Sequence, residues 1–223
     1  MSSPGPESSL VLSLRGVSKA FGAVQALRDV SVDCRAGEIH ALVGENGSGK
    51  STLLGIASGF LAPDEGAVEI GGRPRRRGSP AEARRLGLGI AYQTYSHVLD
   101  LTVAENLYLA VPRNVQPAYG RMEEWAAATL EEFSLDVPVQ AVVGTLSLSQ
   151  RQLLEVVKAL LARPRVLLLD EPFSLLDALT RMELQDQLMT LWEAERKTVI
   201  MVTHDVDEAL YLASDSALFT LAP

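Results

Sequence analysis

The strongest chemical signal in this sequence is an eight-residue run, Gly44-Glu45-Asn46-Gly47-Ser48-Gly49-Lys50-Ser51, followed by Thr52. It matches G-x-x-x-x-G-K-[ST], and average residue usage makes a chance match on the order of one in a hundred chains of this size. Glycines let backbone N–H groups converge on an anion, and the N-terminus of a following helix adds partial positive charge. Lys50 then reaches the β- and γ-phosphates of a nucleotide, and the Ser51 hydroxyl ligates Mg2+. A second signal is the run Val166-Leu167-Leu168-Leu169-Asp170-Glu171. Four apolar residues put Asp170 at the carboxyl end of a buried strand, the edge at which open α/β sheets bind ligands. From there Asp170 holds Mg2+ through water, and Glu171 polarises an attacking water as general base. A third apolar run, residues 198–203, delivers His204 to the same edge, within reach of a γ-phosphate.

These residues need a scaffold, and the sequence alternates strands with helices. Strands are expected at residues 11–14 and 26–34 around a turn at Phe21-Gly22, then at 38–43, 67–70 and 88–92. Helices are expected at 51–60 and at 79–85, where Pro80 suits the first turn. A helix-rich middle spans 103–110, 121–133 and 150–162, after which strands at 166–169, 198–202 and 217–221 alternate with helices at 179–195 and 206–212. Near-continuous apolar strands separated by helices imply an α/β fold whose parallel sheet is covered on both faces.

The ordered motifs resemble those of ATP-binding-cassette (ABC) ATPases over about residues 10–221. Leu146-Ser147-Leu148-Ser149-Gln150, opening a helix, resembles the family's signature segment. Gln93 resembles the Q-loop glutamine, Ser174-Leu175-Leu176-Asp177 the D-loop, and Phe21 the aromatic that stacks on adenine. The resemblance implies a P-loop NTPase fold, with a RecA-like parallel core sheet, an N-terminal antiparallel β subdomain and an inserted helical subdomain at 94–162. It implies one nucleotide-binding domain over 10–223, behind a flexible tail at 1–9. It further implies ATP and Mg2+ as ligands, with Gln93 sensing metal and γ-phosphate. The partner would be a second such subunit, docked head-to-tail. Each ATP would lie between one copy's phosphate loop and the other copy's Ser147, Ser149, Gln150 and Asp177.

The same resemblance points to the ATP-hydrolysing subunit of an importer. Its place would be the cytoplasmic face of the cell (inner) membrane, held peripherally by an integral permease subunit. A periplasmic or extracellular solute-binding protein would take part indirectly. Residues 37–163 resemble monosaccharide importers, and residues 170–215 resemble nitrate, sulfonate and taurine importers. The middle helices and the Gln93 region would meet the permease. Two departures stand out. Leu148 and Ser149 occupy positions that are glycine in the usual signature, and the Ser149 side chain is expected to crowd the phosphate and slow turnover. Family members continue for a few more helices past the position of Pro223, so the sequence reads as a truncated or compact version.

Composition narrows the alternatives. The 223 residues carry 20 Lys+Arg against 28 Asp+Glu, a formal net charge of −8. That balance suits a duplex-DNA binder poorly, and no nucleic-acid partner is expected. A soluble cassette ATPase acting in DNA repair or on ribosomes is the competing reading. It would be expected to carry coiled-coil insertions, zinc modules or tandem cassettes, which this sequence lacks. A small-molecule kinase with a phosphate loop would not need the Gln93, signature and His204 order. No stretch offers the ~20 apolar residues that a membrane span requires. The single Cys34 has no intramolecular disulfide partner, which fits a reducing compartment. Arg73, Arg75, Arg76, Arg77, Arg84 and Arg85 read as a solvated hairpin and helix face. Met182, Leu184, Leu188, Leu191 and Trp192 read as core packing, and Asp205, Asp207 and Glu208 as acids favourable to a helix dipole.

Overall fold

Three apolar runs, at 39–43, 166–169 and 198–203, present no polar face to solvent and therefore need cover on both sides. The structure, a computed structural model, supplies that cover. It describes residues 10–75, 78–91, 96–113, 115–174, 176–213 and 218–220, so the tail at 1–9 and Gln93 lie outside the described residues. In chain order the strands are β1 (Leu10–Phe21), β2 (Val24–Arg35), β3 (Ile39–Val43), β4 (Glu65–Ile70), β5 (Arg73–Pro74), β6 (Leu88–Ala91), β7 (Val166–Asp170), β8 (Thr198–Thr203) and β9 (Leu218–Thr220). The helices are α1 (Lys50–Ser58), α2 (Pro80–Arg85), α3 (Val103–Ala110), α4 (Met122–Glu132), α5 (Leu148–Leu160), α6 (Ala178–Glu195) and α7 (Val206–Leu212).

The strands form two sheets. A parallel sheet runs β6-β7-β8-β3-β9, and an antiparallel sheet runs β2-β1-β4-β5. Period-2 alternation sorts the parallel strands' side chains between two cores. Ile39, Ala41, Val43, Leu167, Leu169, Val199 and Met201 face one core, which they share with α3, α4, α5, α6 and α7. Leu42, Val166, Leu168, Ile200 and Val202 face the other, which holds α1 and the antiparallel sheet. The one polar side chain at the mouth of β8, Thr198, is satisfied: its hydroxyl donates to Arg35 O and accepts from Gly37 N. The helix that begins at Lys50 is therefore wedged between two sheets through Leu53, Leu54, Ile56 and Ala57. Burying each of the three larger side chains, Leu53, Leu54 and Ile56, contributes roughly 1.5–3 kcal/mol, which holds that helix and its leading loop in place.

The structure refines several expectations. The first hairpin is longer than the apolar run at 11–14 suggests. β1 continues to Phe21 through register shifts around Gly16, whose φ is 58°, and pairs with β2 as far as Val24. α1 stops at Ser58 because Gly59 turns left-handed, with φ 85°, and caps it. A Cβ at Gly59 would come within 2.7 Å of the Ser79 carbonyl. α5 starts at Leu148 and not Gln150, because Ser147 rather than Ser149 is its N-cap. Strand β5 is too short to leave a periodic signal. Arg75 is not a solvated side chain. Its guanidinium donates to Ile56 O and Ala57 O in the last turn of α1, where Ile56 O also accepts from Gly59 N. Met182 is 63% exposed rather than core, while Leu184 and Leu188 are buried and Trp192 packs against them, so the apolar stripe of α6 splits between core and surface.

Candidate functional site

Sheet order decides which residues meet. β7, β8 and β3 are adjacent and parallel, so their carboxyl ends form one edge. β3 leads into residues 44–51, β7 ends on Asp170, and His204 follows β8. Side chains separated by more than 150 residues in sequence are thereby brought to one place.

The loop at 44–51 is shaped by its glycines. Gly47 and Gly49 have φ of 88° and 92°. A Cβ on Gly49 would lie 2.5 Å from Ala26 O and 2.8 Å from Leu27 Cδ2, so only glycine lets the loop pass β2. Gly49 is also the N-cap of α1, and no side chain caps that helix, which leaves its first N–H groups directed at the loop. Lys50 is 5% exposed, and its ammonium donates to Gly44 O and Glu45 O at 2.6 and 2.8 Å. The Ser48 Oγ is buried and has no hydrogen-bond partner among the described residues. Glu45, Asn46, Gly47 and Ser51 are exposed, and Gly44 and Thr52 are half-buried.

Asp170 faces this loop. Its Oδ1 is buried without a hydrogen-bond partner among the described residues. Burial, and then the adjacent Glu171 carboxylate, push the Asp170 pKa above the ordinary carboxylate value, while the Lys50 ammonium pulls it down. A buried carboxylate oxygen and a buried hydroxyl without partners among the described residues are polar groups that a hydrated cation and a polyanion would satisfy. The donor set of Ser51 and Asp170, both hard oxygens, suits Mg2+.

Glu171 sits in left-handed backbone, at φ 44°, a conformation that costs a non-glycine residue on the order of 1–3 kcal/mol. Its N–H donates to Val202 O at 3.0 Å, and its carbonyl accepts from Ser174 N and from Ser174 Oγ. This turn directs the carboxylate toward His204, whose Nδ1 lies 3.7 Å from Glu171 Oε1. The His204 side chain is 54% exposed and that of Glu171 is 16% exposed.

The remaining residues singled out in the sequence lie around this centre or away from it. Phe21 ends β1 with 47% of its surface exposed, and the Lys19 ammonium sits 5.7 Å from its ring centroid. Lys19 in turn donates to Asp64, which also accepts from Ala20 N. Asp177 is the N-cap of α6: its carboxylate accepts from Leu179 N, Thr180 N and Thr180 Oγ1, which holds its pKa below the usual carboxylate range. Ser147 is the N-cap of α5 and forms a capping box with Gln150, while the Ser147 and Ser149 hydroxyls share a hydrogen bond of 2.9 Å. The hydrogen bonds of this segment are thus local to its own helix end.

One group of residues near the centre does more than favour a helix dipole: Asp207 and Glu208 do lie in the first turn of α7. Asp205 does cap α7, accepting from Asp207 N and Glu208 N. Glu208 is in addition buried, 6% exposed, and accepts from the Thr203 hydroxyl at 2.6 Å. Burial drives its pKa up, with the Thr203 hydrogen bond and the Arg181 charge acting against that. Arg181, from α6, pairs with Asp205 and Glu208. The sequence around Glu208 carries no signal of this; only the fold places α6 beside it.

The model of the family described as ABC transporter matches residues 27–174. The chain is 41% identical over 215 residues to a ribose import ATP-binding protein, RbsA 2, of Rhizobium etli, covering 94% of this chain and 41% of that protein. It is 36% identical over 217 residues to a bicarbonate transport ATP-binding protein, CmpD, of Synechocystis sp., covering 95% of this chain and 75% of that protein. The chain therefore spans about two-fifths of the length of the ribose-import relative. Among solved structures it superposes on the ADP conformation of an ATP-binding cassette of an ABC transporter, with a TM-score of 0.82 and 26% identity, covering 96% of this chain and 90% of that one. It also superposes on a dimeric, post-hydrolysis ATP-binding cassette bound to ADP and Pi, with a TM-score of 0.76 and 27% identity, covering 92% of this chain and 96% of that one.

Proposed function

The chain belongs to the ABC transporter family, and from that premise we propose that it binds and hydrolyses ATP to drive an importer. The observation that carries this reading is a loop with open helix N–H groups and the buried Ser48 hydroxyl, set opposite the buried Asp170 Oδ1, neither with a hydrogen-bond partner among the described residues. Lys50 would exchange its contacts with Gly44 O and Glu45 O for phosphate oxygens, neutralising charge as the terminal phosphoryl group leaves. Ser51 and Asp170 would hold Mg2+, which when bound offsets phosphate charge, and Gln93 would sense it. Glu171 would take the proton of the attacking water, and His204, 3.7 Å away, would hold the γ-phosphate in line. Phe21 would stack on the adenine.

Residues Ser147, Ser149, Gln150 and Asp177 would act on ATP held by a second copy, arranged head-to-tail. The dimeric structural neighbour supports a pairing of two copies. Closure of the two copies would draw α3, α4 and α5 inward as a subdomain and move the permease they contact. A cavity of about 260 Å3, lined by Phe60, Leu88, Ile90, Val98, Leu109 and Lys158 at the junction of those helices with the sheet, offers the permease a seat. Among the described residues no helix is long and apolar enough to cross a membrane, so the permease would hold the chain at the cytoplasmic face. The transported solute is a monosaccharide or a small anion, as relatives of both kinds suggest, delivered by a solute-binding protein. The test is phosphate release from ATP by the purified chain with Mg2+. Release that is lost in Glu171→Gln supports the assignment; a chain that binds no ATP refutes it.

A further inference from the structure

Arg181 reaches two segments that the reaction must keep in step. One guanidinium nitrogen lies 2.8 Å from Asp205 Oδ2 and 3.4 Å from Glu208 Oε1, and the other lies 3.4 Å from Leu176 O. Leu176 directly precedes Asp177, while Asp205 directly follows His204. The second segment is itself cross-tied. Glu208 accepts from Thr203 Oγ1 at 2.6 Å, and the same Oγ1 accepts from Asp205 N at 3.0 Å. Thr203 and Asp205, the two neighbours of His204 in the chain, are thus both fastened to the Arg181–Glu208 pair. His204 stands on this frame with 54% of its side chain exposed, and its contact to Glu171 is a long 3.7 Å. Its place depends on its backbone, because its side chain is not packed.

We propose that Arg181 is a positioning residue. It locks the Leu176–Asp177 turn to the loop bearing His204, so that His204 faces Glu171 only when that turn is in place. The inference rests on the assignment of Glu171 and His204 above, and it adds a link from the Asp177 turn to the hydrolytic pair within one chain. A planar guanidinium spans the three acceptors at once; a lysine ammonium is a point charge on a flexible stem and keeps the ion pairs without fixing the angle between the segments.

The test compares Arg181→Gln, Arg181→Lys and Glu208→Gln in the full chain. Steady-state ATP hydrolysis of Arg181→Gln is expected to lose about ten-fold or more in kcat with KM for ATP within about two-fold, since the phosphate loop is untouched. Arg181→Lys recovers part of the loss. A fall confined to melting temperature, with kcat retained, would reduce Arg181 to a structural residue and overturn the proposal. If Arg181→Gln does not fold, Glu208→Gln, which keeps side-chain volume, carries the same expectation. A second readout needs no turnover. The imidazole resonances of His204, identified by their loss in His204→Asn, are expected to shift in Arg181→Gln and to return toward wild type in Arg181→Lys. Unchanged His204 resonances in Arg181→Gln would contradict the proposal. A wild-type chain that releases no phosphate yet shows this shift would refute the ATPase reading and leave the Arg181 link standing.

Discussion

Two helix N-termini in this molecule are built in opposite ways. α1 begins at Lys50 behind Gly49, with no side-chain cap, a buried Ser48 hydroxyl in the loop that has no partner among the described residues, and a buried ammonium resting on loop carbonyls. α5 begins behind Ser147 with the Ser147 and Gln150 N–H groups answered by a capping box, and with the Ser149 hydroxyl bonded to that of Ser147. The first end leaves donors open for an anion. The second has its Ser147 and Ser149 hydroxyls already engaged, and it must give up internal hydrogen bonds, each worth about 0.5–1.5 kcal/mol, before those hydroxyls serve a ligand. The difference teaches a division of labour. Under the proposed function, the phosphate loop would bind nucleotide by itself, and the Ser147 end would join only when closure on a second copy offsets what it gives up.

The sharpest ways to break this contrast act on the loop side. Glu171→Gln is expected to lower the rate of phosphate release by roughly 10^2–10^4-fold, the usual range for removing a general base, while ATP affinity measured by calorimetry stays near wild type. A wild-type rate would remove Glu171 from that role. Lys50→Ala is expected to weaken ATP binding by about 10–100-fold, corresponding to ~1.5–3 kcal/mol for hydrogen bonds to a charged group. Phe21→Ala, at the exposed rim, is expected to cost about ten-fold in ATP affinity, near the lower part of the range for base stacking; equal affinity would take Phe21 out of the site.

The other end sharpens the contrast by what it spares. Ser147→Ala is expected to leave ATP affinity of the separated chain within about two-fold, to lower thermal stability through loss of an N-cap worth ~1 kcal/mol, and to abolish ATP-driven association. A large loss of ATP affinity in dilute Ser147→Ala would erase the proposed division. The smallest effect is expected from Ser149→Gly. It removes a hydroxyl that competes for Ser147 and crowds the phosphate, and turnover is expected to rise about five-fold, the rate equivalent of ~1 kcal/mol. An unchanged rate would show that Ser149 neither competes nor crowds.

What the sequence revealed follows the same line. The loop at 44–51, the acids after the 166–169 run and the histidine after residue 203 were legible because each depends on local order: glycine spacing, or a polar residue ending an apolar strand. The element order was legible for the same reason, down to Pro80 opening α2. What escaped depends on neighbours distant in sequence. Arg75 reads as a surface charge until the C-terminus of α1 is placed beside it. Glu208 reads as a dipole-favouring acid until α6 brings Arg181 and burial closes over it. Met182 fits a core stripe by spacing, but α6 turns that edge outward. The capping role of Asp177 was hidden by a different cause. A D-loop resemblance and an N-cap share the same residue type, and only the hydrogen bonds to Leu179 N and Thr180 N show the second role.

The account turns on one claim, that a single chain binds ATP but two copies complete the site. The most direct measurement is the mass in solution of Glu171→Gln, at fixed protein concentration, with and without Mg-ATP. The account predicts a shift from the 24.0 kDa chain to about twice that mass on adding ATP, abolished by the further change Ser147→Ala. A Glu171→Gln chain that is saturated with ATP and still sediments as a monomer would contradict it.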